Sequence, residues 1–331
     1  MKEIVALILP SLVPIVVLLM IGYGLRRLGL VGAKGTAWLS KLVLLYLFPV
    51  LVFLRMGMTQ DPHLIMADWP ILAWSPVVLI GSTFIGWAWY RINRLTADFR
   101  SFIYLVGMPN WIYLPLAVVG PIWGDEAVRL IILFNIPTQV LLWTAGIALL
   151  KGDLRGTNAL RFMLTSPGLL ATTAGLLVSF GVIPLSLQPG QPGISLQPLV
   201  PLLTIVGGFT VPLSLVALGL YVGEQITDGR QILSDVMWVS IGRLIIAPLI
   251  IIALVMACAY AGFGEDPMIR KVVYLIAVMP VAVSVPIFTA MFGRDHILAS
   301  RSVVASTMMA FITSPLIVLL ALKIEQWLGI L

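Results

Sequence analysis

The stretch Tyr104–Pro115, YLVGMPNWIYLP, places an asparagine directly after a proline, Pro109 and Asn110, and follows it with Tyr113 and a second proline, Pro115. No Asp, Glu, Lys or Arg occurs from Ser101 to Gly124. A carboxamide offers two donors and an acceptor, so Asn110 can either hold a small polar ligand or cap backbone groups that the prolines leave free. A second set, Pro280, Ser284 and Pro286 with Thr289 beyond them, lies in YLIAVMPVAVSVP. Hydroxyls in apolar helices usually bond their own helix, which makes Ser284 and Thr289 the weaker candidates. Asn135 and Gln139 are four residues apart and therefore share one helix face; they either line the same cavity or bond a neighbouring helix. Arg243 is the one basic residue well inside an apolar run, where a charge is costly and points to function, above all toward an anionic substrate. The alternative is that Arg243, eight residues from Asp235, snorkels to the interface or pairs there.

This is binding chemistry rather than catalysis. No H-E-x-x-H pattern occurs, and His63 and His296 fall in or beside loops. All fourteen acidic residues lie in loops or at the ends of apolar runs, leaving no carboxylate at mid-depth for a sodium ion or a proton relay. Neither a cofactor nor a metal is expected.

The elements that must position these residues are membrane helices. Sixty per cent of the chain is hydrophobic and a tenth is charged, far from a soluble globular balance. Apolar runs of about 20 residues recur, the length an α-helix needs to cross the hydrocarbon, and they do not alternate as barrel strands would. Ten spans are predicted: 4–26, 37–57, 69–91, 100–121, 127–150, 166–184, 197–223, 236–262, 269–292 and 298–323. The first is too long for a signal-peptide core and is read as retained. The Pro-rich connection PLSLQPGQPGISLQP is expected to form an ordered hairpin loop. The lone Cys258 can make no internal disulfide. Net charge is +6, but Lys and Arg gather in the short loops after spans 1, 3, 5, 7 and 9, as topology signals do, and not in a nucleic-acid patch. Both termini are therefore expected outside, with Arg270 and Lys271 running against the trend.

The two proline-containing segments repeat each other. Both open with Tyr-Leu, contain Met-Pro, carry a second proline six residues on, and precede a Gly-Asp or Gly-Arg-Asp turn at Gly124 and Gly293. The offset is 171 residues for each proline pair, 109 to 280 and 115 to 286, and Pro49 and Pro212 echo more weakly. Spans 4 and 9 thus become the fourth members of two five-helix units, and an odd number inverts the second unit relative to the first. The fold class is an all-α membrane protein of ten helices in two inverted repeats, with helices 4 and 9 broken and crossing. Broken backbone at membrane depth is tolerated only against protein or a watery cavity, so two facing breaks would make a small polar site.

The runs IGYGLRRLGLVGAKGTAWLSKLVLLYLFPVLVF, GMPNWIYLPLAVVG, LLWTAGIALL, TVPLSLVALGLYVGE and VMPVAVSVP together resemble the auxin efflux carrier family, over nearly the whole chain. That family includes plant PIN-FORMED carriers and many bacterial members, some linked to malate or malonate. The resemblance implies a fold similar to bile-acid/sodium symporters: scaffold helices in 1–66 and 161–230, a moving transport bundle in 67–160 and 231–331, and substrate between them beside the crossing. It also implies a homodimer through the scaffold and a place in a bacterial inner membrane. Members often have an Asn at each break; here Asn110 keeps the first, displaced to follow Pro109, and Ser284 stands near the second.

The function expected is a secondary carrier with alternating access, elevator-like, for small organic anions such as mono- or dicarboxylates. The alternatives are a sodium- or proton-coupled symporter of the bile-acid type, in which backbone carbonyls hold the ion, and an anion channel. No filter motif favours the channel.

Overall fold

The computed structural model describes residues 2–58, 66–152, 165–190, 193–224, 232–263 and 266–329. His63, Arg155, Arg161 and Arg230 lie outside the described residues. The chain folds as an all-α membrane protein. Among the described residues five helices are long and apolar enough to cross a bilayer: Ala33–Gly57, Trp69–Ile92, Gln197–Gly223, Ser234–Tyr260 and His296–Leu328. A sixth is counted if the pair Tyr113–Leu141 and Thr144–Lys151, bent by 45°, forms one span.

Local sequence explains where the helices begin and widen. Asp98, Asp266 and Asp295 each precede a helix and accept its free N–H groups: Ser101 N donates to Asp98 at 2.9 Å, Met268 N to Asp266 at 2.7 Å, and Leu298 N to Asp295 at 2.8 Å. Two π-helical turns, Val43–Leu47 and Gly242–Ile246, lie immediately upstream of Pro49 and Pro248. A proline cannot donate to the carbonyl four residues back and clashes with it, and a widened turn over that carbonyl relieves both problems.

The described chain divides into two compact units. The first comprises residues 1–69, 116–139 and 158–224. Within it the helix Lys2–Arg27 lies along Thr210–Glu224. They approach backbone to backbone, for a β-carbon at Gly219 would stand 2.1 Å from the Leu19 carbonyl oxygen. Pro167–Ser179 packs on Phe48–Gly57. Ion pairs join Arg55 to Asp125 at 2.6 Å and Arg129 to Asp68 at 2.7 Å.

Within the Pro-rich connection, between the helices Pro167–Ser179 and Val200–Gly208, Leu185–Ser186 pairs with Ile194–Ser195 in parallel. Gln197 Nε2 donates to Ser186 Oγ and to the Gln188 carbonyl, closing the loop on itself with side chains.

The second unit comprises residues 70–115, 140–157 and 225–331. It holds two short helices, Phe99–Gly107 and Pro267–Ala277, whose side chains are almost all buried. At Gly107 a β-carbon would fall 2.2 Å from Thr83 Oγ1, so only glycine lets Trp69–Ile92 come this close to the end of the first short helix. Ser101 links two helix starts: it donates to Asp98 at 2.7 Å and accepts from Asp295 N at 3.1 Å. Arg294 donates to the Leu150 carbonyl at 2.6 Å, covering the end of Ile147–Lys151.

Arg270 corrects the charge count made from sequence. It is 1% exposed and its Nε donates to Glu325 Oε1 at 2.7 Å, where Tyr274 Oη also donates at 2.7 Å. A guanidinium spent on a buried carboxylate is no loop charge, and it does not count against the positive-inside trend.

Candidate functional site

The two short helices end against each other. The first stops at Gly107 and the chain resumes as helix at Tyr113; the second stops at Ala277 and resumes at Val285. Between these ends Pro109 and Val281 face each other as an antiparallel bridge. Asn110 N donates to the Pro280 carbonyl at 2.7 Å and Ala282 N donates to the Met108 carbonyl at 3.0 Å. The breaks are therefore bonded to each other.

The register explains the prolines. In this bridge the hydrogen bonds flank the Pro109–Val281 pair, so neither facing residue has to donate, and a residue with no N–H fits there without loss. Val281, which does have an N–H, gives it to Ser306 Oγ at 3.2 Å. The second proline of each pair plays a different part from the one read from sequence. Pro115 and Pro286 lie in the first turn of the resumed helices, where the N–H groups have no intrahelical partner in any case. Each restarts a helix; only Pro109 and Pro280 stand in the gaps.

Several carbonyls at the two breaks have named donors. Met108 N takes the Tyr104 carbonyl, Val278 N takes that of Tyr274, and Met279 N takes that of Ile276. Ser314 Oγ donates to the Val278 carbonyl at 2.8 Å. Arg243 reaches two more: Nη1 donates to the Val106 carbonyl at 2.8 Å and Nη2 to the Ala277 carbonyl. It is fully buried, which corrects the expectation that it snorkels to the interface or pairs with Asp235. These backbone groups are satisfied by protein, as lipid-depth backbone requires.

Asn110 is 3% exposed, and its carboxamide forms no hydrogen bond among the described residues. Its side chain therefore does not cap the freed backbone, one of the two roles open to it in the sequence. Tyr113 is half-buried and Pro115 buried just beyond it. Ser284 is half-buried, and its carbonyl accepts Phe288 N at 3.3 Å. Thr289 bonds back to the Val285 and Pro286 carbonyls, the local habit expected of it. Asn135 and Gln139 belong to the first unit and bond each other, Gln139 Nε2 to Asn135 Oδ1 at 3.1 Å. Among the described residues no group of three His, Cys, Asp or Glu could hold a metal ion.

Sequence reasoning missed Ser306 and Ser314. They sit among other small hydroxyl residues in His296–Leu328, and nothing in that helix by itself says which of them reach the second break.

Comparison with known proteins bears on the whole chain. A family model described as "Membrane transport protein" matches residues 7–163 and 173–318. An "Uncharacterized transporter" of Methanothermobacter thermautotrophicus is 24% identical over 312 residues, covering 92% of this chain and 96% of its own. "Uncharacterized transporter YfdV" of Escherichia coli is 29% identical over 118 residues, 35% of this chain and 37% of its own.

Proposed function

Since the chain belongs to the Membrane transport protein family, the auxin efflux carriers, and is a membrane transporter by that membership, we propose that it is a secondary carrier for small organic anions. Mono- and dicarboxylates are the substrate class. The observation that carries this reading is Asn110: a buried carboxamide, unpartnered among the described residues, at the point where two broken helices are bonded together. An amide N–H₂ in such a place costs free energy until something accepts from it, and a carboxylate oxygen is a strong acceptor.

In this reading the ten helical segments form two inverted five-helix repeats, with Pro109, Asn110, Tyr113 and Pro115 on one side of the site and Pro280, Ser284 and Pro286 on the other. Residues 1–66 and 161–230 serve as scaffold, and 67–160 with 231–331 form the bundle that moves, elevator-like. Leu116–Gln139, which packs with the first unit, is the stretch on which that border turns. Asn135 and Gln139 are further candidate substrate ligands, within the first unit. The protein sits in the bacterial inner membrane with both termini outside and pairs through the scaffold. The membrane potential contributes about 2.3 kcal/mol per charge moved per 100 mV.

The test is a thermal-unfolding screen of organic acids on the purified protein, repeated with Asn110→Ala. A ligand held at a hundred times its Kd stabilises by about 2.7 kcal/mol. Carboxylates should raise the midpoint of the wild type and lose that effect in the variant. An acid that stabilises both equally removes Asn110 from the site.

A further inference from the structure

Two helices that end on each other bring two negative poles together. Each helix end leaves carbonyl groups without intrahelical partners and carries roughly half an elementary negative charge, so the pair amounts to about one. Phe99–Gly107 and Pro267–Ala277 end in this way, and the Arg243 guanidinium lies between the ends with one nitrogen on each. It is 0% exposed, and among the described residues it has no carboxylate partner. Arg270, the other deeply buried arginine of this unit, is paired with Glu325. Arg243 has only dipoles.

We propose that Arg243 is the positioning residue of the crossing: a resident cation, tethered to the π-helical turn Gly242–Ile246, that neutralises both half-helix ends and so fixes Asn110 against Pro280. The two carbonyls it grips, Val106 and Ala277, lie four and three residues upstream of Asn110 and Pro280. A change in their separation is passed straight to the Asn110–Pro280 bond. A planar guanidinium holds two carbonyls from two nitrogens in fixed geometry; a lysine ammonium puts its three donors on one nitrogen at the end of a flexible stem and sets the two helix ends less rigidly. The Nε of Arg243 finds no hydrogen-bond partner among the described residues, so the two helix ends are what hold the group. Carbonyls at the ends of unwound half-helices are where transporters of this kind of architecture coordinate small cations. Here that place is filled by the chain itself.

The part of this inference that concerns ligand affinity rests on the carboxylate reading of the Asn110 site; the part that concerns the cation does not. Full-length wild type, R243K and R243A are purified and unfolded thermally without substrate in NaCl, KCl or choline chloride at equal ionic strength. Wild type should unfold at one temperature in all three salts. R243A should unfold several degrees lower and recover most of the loss in millimolar methylguanidinium, which leaves wild type unmoved. Malonate is then titrated as probe. R243K, still folded, should bind it at least about tenfold more weakly than wild type, and methylguanidinium should restore binding to R243A and not to R243K. Wild type that is stabilised by Na⁺ over choline, or R243A as stable as wild type, overturns the assignment. Wild-type malonate affinity in R243K does so too, and this variant decides alone if R243A yields no folded protein. If no organic acid binds wild type, the carboxylate reading fails while the salt and methylguanidinium measurements still judge Arg243.

Discussion

The first break, Gly107–Tyr113, and the second, Ala277–Val285, share a Tyr-Leu entry, a Met-Pro step and a proline that restarts the helix, yet the groups that hold them come from different places. The second is fastened to His296–Leu328 by three side chains: Ser306 on Val281 N, Ser314 on the Val278 carbonyl, and Glu325 on Arg270 and Tyr274. The first is gripped by Arg243, bonded to the second through the bridge, and packed closely against Thr83. The tyrosines that open the two segments make the contrast at a single position. Tyr274 donates to a buried carboxylate, while the equally buried Tyr104 hydroxyl has no partner among the described residues. Segments that share these few residues thus both break and meet at the bridge, with unequal chemistry around them. The second break is tied to His296–Leu328, and the first carries the Asn110 amide.

That asymmetry can be broken at its strongest point. Replacing Glu325 by Ala takes the carboxylate from a buried arginine, a loss of about 3–5 kcal/mol. The variant should unfold far below wild type in a detergent thermal melt, and a midpoint within a degree of wild type would mean that Arg270 needs no counter-charge. Glu325→Gln, which keeps an acceptor for Tyr274, should fall between the two.

Tyr274→Phe and Tyr104→Phe sharpen the comparison. Removing the Tyr274 hydroxyl strips one of the two donors from Glu325, whose Oε2 is already unbonded among the described residues, and should cost about 1–3 kcal/mol. Ser314→Ala leaves the Val278 carbonyl short of a donor at a cost of about 1 kcal/mol, best read as earlier amide exchange around the second break than around the first. Tyr104→Phe deletes a hydroxyl with nothing to bond and should be neutral or slightly stabilising. Equal destabilisation by the two tyrosine changes would show that the two breaks are held alike after all.

The backbone breaks were legible in the residues. Prolines and the glycine turns at Gly124 (φ 74°) and Gly293 (φ 63°) act on the chain beside them, and such local rules survive without knowledge of the rest of the fold. The depth of Arg243 was not legible. Eight residues from Asp235 it had the reach to leave the apolar layer, and what keeps it inside is a pair of carbonyls contributed by residues 106 and 277. Nor could Ser306 and Ser314 be told from the other hydroxyls of their helix, since each ordinarily bonds its own backbone and only the nearness of the second break redirects them. The Pro-rich loop was legible as a joint between two helices, while the parallel pairing of Leu185–Ser186 with Ile194–Ser195 inside it came only from the fold.

What the sequence by itself determined is the class of molecule and the places where its helices stop: apolar length, charge position and proline chemistry are properties of neighbouring residues. The tertiary structure alone decided which groups fill the gaps so made. A freed carbonyl takes whichever donor lies within about 3 Å, and for these breaks the donors come from segments more than a hundred residues away or from another helix, distances over which sequence order carries no geometric information.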